Sequence, residues 1–315
     1  MNNKHMQIMD TFSLDNIPDL DVAVLGALEL FQQQSLPKTD VSTYSHPLVV
    51  GSGNAEATGK IMFETVDAVF ASESNFEEKL TNIPVIDGVV LISASGSKHA
   101  PIIVRKARQL GKPVTLITNT PDSLAGKELD RLHGDHEYVF PKNREPYTYN
   151  TSTYMGMILG TTDEDPAVIA QFIGQHVSQL RFPDFSQFDK YYLIVPPEFS
   201  NIVRMLQVKF IELFGRNIAR DVETSEYVRH ATTVATSNEL FISFGEENTT
   251  WGAPANRLFV PLPDKAGYAS MMAVGYYTVA YIQKAYPHFF KDNIAAWCGE
   301  ITKLYGQTIT PIVDK

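Results

Sequence analysis

The chain has 315 residues, which is too long for one ordinary hydrophobic core and predicts two domains or one large α/β unit. Its content of 44% hydrophobic and 20% charged residues is typical of a folded globular protein and excludes a disordered or fibrous chain. The formal net charge of −10 argues against a nucleic-acid-binding surface, which needs a basic patch.

Neither the apolar runs nor the cysteine content indicates a membrane or secreted protein. No apolar run reaches the roughly 18 residues that a membrane-spanning helix needs, so we expect no membrane partner. The first ten residues lack the basic end and apolar stretch of a signal peptide. Cys298 is the only cysteine, which excludes an intrachain disulfide, and no zinc-type Cys/His cluster is present. We therefore expect a cytoplasmic protein without a metal site.

Strand-like and helix-like segments alternate in the first half of the chain, after an N-terminal segment at 1–45. Buried-type apolar runs predict strands at 48–51, 68–71, 88–92, 114–118 and 136–140. Helices are predicted at 55–66 and 75–80, and from Pro101, which suits a first helical turn, to the stop at Gly111. Repeated strand–helix units of this kind predict a parallel, doubly wound sheet.

The second half repeats this architecture without obvious sequence similarity to the first. A linker at 141–150 leads into helices predicted at 152–159 and 166–180. Strands are then predicted at 191–195, 218–221, 240–244 and 257–260, and helices at 199–214, 268–284 and 289–304. We therefore predict two α/β parallel-sheet sandwiches of three layers in tandem, with a first domain at 46–150, interdomain helices at 151–184 and a second domain at 185–315.

Two turns of the first half lie beyond the carboxyl ends of predicted strands, where open parallel sheets bind ligands. Gly51-Ser52-Gly53-Asn54 follows the first strand, and Ser93-Ala94-Ser95-Gly96-Ser97-Lys98 follows the third. In the second turn, hydroxyls, a permissive glycine and backbone N–H groups converge at a helix start and can enclose phosphate oxygens. One serine there would more often be a helix cap worth about 1 kcal/mol, but three favour an anion site. The first turn, without a third glycine, also fits an ordinary tight turn.

The pattern around the second turn is an apolar strand, Ser-x-Ser-Gly, a helix, Gly-x-Pro and another strand. Residues 92–97 carry its first part, and Gly111-Lys112-Pro113 with the strand up to Asn119 carries the rest. This pattern resembles the sugar isomerase (SIS) domain, and most nearly the bifunctional phosphoglucose/phosphomannose isomerase branch. The turn after the first strand is similar to the Gly-rich first turn of that domain. The second half resembles a second SIS domain in element order only. The resemblance implies two flavodoxin-like sandwiches and a role in carbohydrate metabolism.

The resemblance also implies a phosphosugar-binding site. In the family the Ser-x-Ser-Gly turn holds the sugar phosphate, and the first turn contacts the sugar. The segment Thr151-Ser152-Thr153 falls where double-SIS proteins carry a Ser/Thr-containing segment into the interdomain helices. The implied binding residues are Ser52, Gly53, Ser93, Ser95, Gly96, Ser97, Lys98, Ser152 and Thr153.

Members of the family that isomerise sugars carry a Glu-x-x-His element in the second domain. Its carboxylate moves a proton between C1 and C2, and its histidine helps open the ring. Glu226 and His230 occupy the matching place, with one extra residue between them. On a helix they would share a face, although a surface pair worth about 0.2–0.5 kcal/mol has the same spacing. In this family a ring-opening histidine can come from a neighbouring subunit, which makes His288 a further candidate.

We therefore predict a phosphosugar isomerase that interconverts the aldose and ketose forms of a hexose phosphate. One positioned base suffices for this chemistry, so we expect no cofactor. The apolar C-terminal helices and the habit of the family predict a homodimer. Two alternatives remain open: a non-catalytic phosphosugar-binding or regulatory SIS protein, which the Glu–His spacing favours, and an amino-sugar-phosphate deaminase or deglycase.

Overall fold

The computed structural model describes residues 3–315, so Met1 and Asn2 of the predicted N-terminal segment lie outside the described residues. The chain divides into two compact units. The inserted unit contains Gln34–Lys142 and Thr153–Asp163, and the discontinuous unit contains the residues up to Gln33, Asn143–Ser152 and Glu164–Lys315. Every helix within residues 3–315 is too short or too polar to span a lipid bilayer.

The regular elements follow the predicted alternation of strands and helices. The strands are β1 (Pro47–Val50), β2 (Val69–Ala71), β3 (Gly88–Ile92), β4 (Val114–Thr118), β5 (His136–Val139), β6 (Glu145–Pro146), β7 (Lys190–Val195), β8 (Ala219–Thr224), β9 (Glu239–Phe244), β10 (Arg257–Val260) and β11 (Ile312–Val313). The α-helices are α1 (Lys4–Thr11), α2 (Leu20–Gln33), α3 (Asn54–Met62), α4 (Phe76–Asn82), α5 (Ala100–Gln109), α6 (Thr151–Leu159), α7 (Pro166–Gln175), α8 (Val203–Phe214), α9 (Val228–Ala231), α10 (Tyr268–Ala285) and α11 (Phe289–Tyr305).

The inserted unit is built on a parallel five-stranded sheet in the order β2-β1-β3-β4-β5. Its three central strands are buried at every position, because helices cover both faces. On one face, Leu80 of α4 and Ile103 of α5 pack in one cluster with Leu91 of β3. On the other face α3 lies so close that a methyl group added at Gly59 would lie 2.7 Å from Val49 Cγ1. The unit is therefore the three-layer, flavodoxin-like sandwich that the sequence predicts.

The discontinuous unit contains a parallel four-stranded sheet in the order β10-β9-β7-β8. On one face, the ring of Tyr191 lies 5.9 Å from that of Phe210 in α8. On the other face, Tyr192 stacks on Phe241 at 5.4 Å, and a short helix, α9, and Trp251 cover this pair. The predicted class, parallel α/β sandwiches, is confirmed, with a thin outer layer on this second face.

The N-terminal segment, for which the sequence predicts no element, contains α1 and α2. Helix α2 is apolar around most of its circumference because it packs against α1, α7 and α10. Its first N–H, that of Leu20, donates to Gln283 Oε1 at 3.0 Å, and Asp21 forms an ion pair with Lys284. The amino-terminal helices therefore complete the core of the discontinuous unit.

The predicted linker at 141–150 is more ordered than its sequence suggests. It contains β6, which pairs antiparallel with β11 through Pro146 and Ile312. The side chain of Arg144 bonds Asp314, in the residues that follow β11, at 3.2 Å. Because the partner strand lies so far along the chain, no local pattern in the sequence indicates this pairing.

Glu145 is a buried carboxylate that organises the same segment. Its Oε2 accepts from the N–H of Thr151 at 2.7 Å, and its Oε1 accepts from the N–H of Ser152 at 2.7 Å and from the Ser152 hydroxyl at 2.5 Å. The N–H of Asn143 donates to that hydroxyl at 2.9 Å. Burial raises the pKa of Glu145, and the hydrogen bonds from Ser152 and Thr151 and the charge of Lys209 oppose the rise. The carboxylate thus caps the amino end of α6.

We expect Ser152→Ala to lower the free energy of unfolding by about 1–3 kcal/mol, because it removes a donor to buried Glu145 and the acceptor of the Asn143 N–H. Urea unfolding followed by circular dichroism measures this change. Thr153→Val is the matched control on the next residue, whose hydroxyl makes no hydrogen bond within residues 3–315. A loss for Ser152→Ala no larger than that for Thr153→Val would contradict the expectation.

Candidate functional site

The strand order of the inserted unit reverses at β1, which lies between β2 and β3. The chain leaves the two neighbouring strands β1 and β3 at the same sheet edge, since Val50 pairs with Leu91 in a parallel register. A parallel sheet opens a ligand-binding crevice at such a reversal. The turns at 51–54 and 93–98, both identified from the sequence, are the loops that border this crevice.

The turn after β3 presents two hydroxyls side by side. Ser95 Oγ lies 2.6 Å from Ser97 Oγ, and both precede the first residue of α5. Gly96 between them has φ of 56°, and a Cβ atom there would lie 2.3 Å from Ser123 Oγ. Both its conformation and this close approach require glycine. Lys98 also has φ of 56°, which is uncommon for a residue with a Cβ atom and marks a turn under constraint.

The carbonyl groups of this turn are held by the chain that follows β4. The carbonyl oxygen of Ala94 accepts from the N–H of Asn119 at 2.9 Å and from the hydroxyls of Thr118 and Thr120, each at 3.1 Å. The carbonyl oxygen of Gly96 accepts from the N–H of Ala125 at 2.8 Å. These bonds fix the orientation of the peptide groups in the turn.

The N–H groups of the turn are left available by the same arrangement. Those of Ser95, Ser97 and Lys98 make no hydrogen bond within residues 3–315, and α5 begins at Ala100 with its positive dipole end toward the turn. Successive backbone donors of this kind form an anion-binding concavity. The turn therefore has the donors to hold a phosphate group, and Ser93 and Lys98 flank it at its two ends.

The turn after β1 contributes less polar surface but one residue that the sequence reasoning missed. Ser52 and Gly53 are exposed, and Gly53 has φ of 60° at the start of α3. Asn54 follows them, 9% exposed, and its Oδ1 is buried without a partner among the described residues. An asparagine directly after a Gly-Ser-Gly turn is a signal that could have indicated it.

The supporting residues after β4 were also missed. Thr118 and Thr120 bond the Ala94 carbonyl oxygen, and Ser123 fits against Gly96. A hydroxyl residue at the last position of a buried strand and two more in the loop after it are a recognisable signal, because neighbouring parallel strands end at one edge.

Ser152 and Thr153 do not present free hydroxyls at a surface. Ser152 is fully buried, and its hydroxyl both donates to Glu145 and accepts from the N–H of Asn143. Thr153 is 5% exposed on α6. The hydrogen bonds of Ser152 are those of a structural group that fixes the start of α6.

Glu226 and His230 lie in the discontinuous unit, after β8. Helix α9 begins at Val228, so Glu226 precedes it and the two side chains do not share one helix. Both residues are exposed, and His230 Nε2 lies 3.3 Å from Arg229 Nε. No hydrogen bond joins Glu226 to His230 in the described part of the chain. His288 is exposed before the first residue of α11. The expected single-helix geometry of the pair is therefore not the one observed.

The sheet of the discontinuous unit also reverses its order, at β7, but its edge has different chemistry. Pro196 and Pro197, which have no N–H to donate, follow β7, and Gly245-Glu246 follows β9. Glu246 accepts a hydrogen bond of 2.8 Å from the Ser225 hydroxyl. Such an edge offers few hydrogen-bond donors and carries a carboxylate, so the candidate anion-binding turn is the one in the inserted unit. No group of three or more His, Cys, Asp or Glu side chains within residues 3–315 is arranged to hold a metal ion.

Comparison by sequence finds no matching protein-family model and no matching curated protein. Several solved structures are similar in fold. The C-terminal domain of glucosamine-fructose-6-phosphate aminotransferase from Francisella tularensis is 12% identical with a TM-score of 0.58, covering 92% of this chain and 97% of that one. Glucosamine-6-phosphate deaminase from Thermotoga maritima is 11% identical with a TM-score of 0.58, covering 84% and 93%.

Tagatose-6-phosphate ketose/aldose isomerase from Escherichia coli is 12% identical with a TM-score of 0.54, covering 89% of this chain and 91% of that one. At these identities the likeness establishes the fold, which the chain shares with most of each of these three solved chains.

Proposed function

We propose that the chain is a phosphosugar-binding protein of the SIS family, with the sugar phosphate held by the turn from Ser93 to Lys98. The observation that carries the proposal is the set of N–H groups without a partner in residues 3–315, together with the paired hydroxyls of the same turn, at the reversal of strand order. The names of the three proteins of the same fold each contain a hexose 6-phosphate. A phosphorylated hexose is therefore the ligand class that we infer for this chain.

The turn suits a phosphate because its own groups attract an anion, although the net charge of the chain is negative. The chain has a net charge of −10, which repels an anion at long range. Close to the turn, the N–H groups of Ser95 and Ser97, the amino end of α5 and the ammonium group of Lys98 offset this repulsion. The hydroxyls of Ser93, Ser95 and Ser97 add donors for the remaining phosphate oxygens, with Ser52 and Asn54 across the crevice toward the sugar.

Isomerisation is the proposed activity. In that reaction a base removes the proton from C2 of the open-chain aldose and returns it to C1. The carbonyl oxygen at C1 takes up a proton, and the hydroxyl at C2 gives one up as C2 becomes the carbonyl of the ketose. We propose Glu226 as the base and His230 as the group that assists ring opening. Both are exposed, so a ligand can reach them.

Binding without turnover is the second candidate, and one observation favours it. Glu226 lies outside α9, is exposed to water and makes no hydrogen bond with His230 within residues 3–315, so the pair is not held in position for proton transfer. A regulatory phosphosugar-binding protein needs the turn but not a positioned base.

Four finer assignments are part of the proposal. They are the domain boundaries at 45, 150 and 184, the likeness to the bifunctional phosphoglucose/phosphomannose isomerase branch, a homodimer, and a cytoplasmic location. Each is inferred from the sequence and from the family resemblance.

We expect the double substitution Ser95→Ala with Ser97→Ala to weaken the binding of hexose phosphates by about tenfold or more, since each hydroxyl is a donor to a charged oxygen. Isothermal titration calorimetry against glucose 6-phosphate, fructose 6-phosphate and glucosamine 6-phosphate measures the affinities. Thr81→Ala, which removes an exposed hydroxyl on α4, is the control. Unchanged affinity in the double variant would show that this turn does not bind the phosphate.

We expect Glu226→Gln to abolish the exchange of solvent deuterium into C2 of a bound hexose phosphate while leaving its affinity unchanged, because the amide cannot accept the proton. Nuclear magnetic resonance of the sugar follows the exchange. Glu247→Gln changes another exposed acid of the same unit and should have no effect. If the exchange persists in Glu226→Gln, a residue other than Glu226 is the base. If the wild-type chain binds hexose phosphates without any exchange, the binding-only function is the correct one.

A further inference from the structure

A cavity of about 420 Å³ lies in the discontinuous unit, between the carboxyl end of α8 and the amino-terminal half of α11. Its volume is within the range of roughly 300–1,000 Å³ that small-molecule sites occupy. Its apolar wall is formed by Ile211, Leu213, Phe289, Phe290, Ile294 and Trp297. Two of these, Ile211 and Trp297, are 40% and 41% exposed and line its mouth. A ligand can therefore enter from solvent and bury an apolar body against aromatic rings.

The polar side chains that line the cavity are Glu212, Thr148, Asn217 and Asn293, and the buried Lys209 bonds the first two of these residues. The amide N–H groups of Asn217 and Asn293 donate to the carbonyl oxygens of Phe214 and Phe289. Lys209 Nζ donates to the carbonyl oxygens of Thr148 and Tyr149 at 2.6 and 2.7 Å and to Glu212 Oε2 at 2.8 Å. These three bonds use every proton of the ammonium group, so Lys209 has no donor left for a ligand. Glu212 Oε1 makes no hydrogen bond within residues 3–315 and is an acceptor available to the cavity.

Thr148 gives a second, independent sign of a functional site. It is a β-branched residue with φ of 75°, a conformation that such residues adopt only when their surroundings impose it. Its hydroxyl is buried without a partner among the described residues. Burial also raises the pKa of Glu212, against the opposing charge and hydrogen bond of Lys209. The lining at Glu212 and Thr148 is therefore constrained, desolvated and incompletely paired.

We propose that this cavity binds a small neutral molecule with an aromatic or alicyclic body and one N–H or O–H donor, which bonds Glu212. The apolar wall disfavours a sugar, because most hydroxyls of a sugar would be buried without partners. Lys209 balances the charge of Glu212, so a cationic ligand finds no uncompensated anion. The negative end of α8 and the positive end of α11 both border the cavity, so the helix dipoles favour neither sign of charge, and the carboxylate of Glu212 disfavours an anion. The proposed site does not involve the turn at 93–98 and does not rest on the proposed function.

The test uses two probes of one shape, indole and benzofuran, which differ in having N–H or a ring oxygen at one position. Calorimetry and ligand-observed nuclear magnetic resonance with the full chain should give an affinity for indole about tenfold higher than for benzofuran, since only indole donates to a carboxylate. Glu212→Gln should remove most of this preference. Equal affinities in the wild-type chain, or no binding of either probe at millimolar concentration, would overturn the proposal.

Two further variants locate the bound probe. Ile294→Phe fills the cavity and should abolish binding, whereas Val168→Phe, which places the same ring at a 54% exposed position on α7, should not. Indole binding that persists in Ile294→Phe would contradict the assigned cavity. A second copy of the chain is the competing occupant. If the wild-type chain sediments as a dimer that Trp297→Glu separates, and indole does not bind, the cavity is a protein interface and the proposal is wrong.

Discussion

The parallel arrangement of the inserted unit's sheet is the constraint on which the candidate site depends. Because all five strands run in one direction, every strand ends at the same edge. Because β1 lies between β2 and β3, the connections from β1 and β3 leave on opposite faces and the edge opens between them. If β1 were not a neighbour of β3, the turn at 51–54 would be separated from the turn at 93–98. The polar groups of both turns can contact one ligand only because the strand order places the two turns side by side.

The electrostatics of the two units differ in a way that follows from backbone chemistry. In the inserted unit the turn at the reversal directs its carbonyl groups toward the chain after β4, which leaves N–H groups for a ligand. In the discontinuous unit the equivalent edge has two prolines and Glu246, which remove donors and add a negative charge. Two sheets with the same order of connections therefore differ in the chemistry of this edge, although the central strands of both are buried. The fold determines where a ligand can bind, and the residues of the turns determine the chemical class of that ligand.

The strands, and the position of the candidate anion-binding turn beyond β3, could be predicted because their causes are local. Residues 88–92 and 114–118 are fully buried runs, and the turn between them has its own signature in hydroxyls and glycine. The pairing of β6 with β11 could not be predicted, since it joins distant residues. The same is true of the burial of Ser152, which depends on Glu145 meeting the start of α6.

The candidate catalytic pair shows a different limit of sequence reasoning. The spacing of Glu226 and His230 fits a helix face, but α9 begins at Val228 and leaves Glu226 in the preceding turn. Whether a short polar segment begins a helix depends on capping and packing that spacing alone does not encode. The cavity beside α11 was also absent from the predictions. It lies between α8, α11 and Thr148, which are distant from one another in the sequence.

The division of the discontinuous unit into three chain segments has a consequence for synthesis on the ribosome. The strands β1 to β5 are consecutive in the nascent chain, so the inserted sheet can form as soon as β5 emerges. Helix α2 is synthesised earlier. Its apolar surface stays exposed until α7 and α10, which pack against it, have been synthesised. At about 5–20 residues per second, the ribosome takes roughly 10–50 s from Gln33 to Tyr268. During that interval the exposed apolar surface of α2 can associate with other apolar surfaces, and β6 has no partner strand until β11 has been translated.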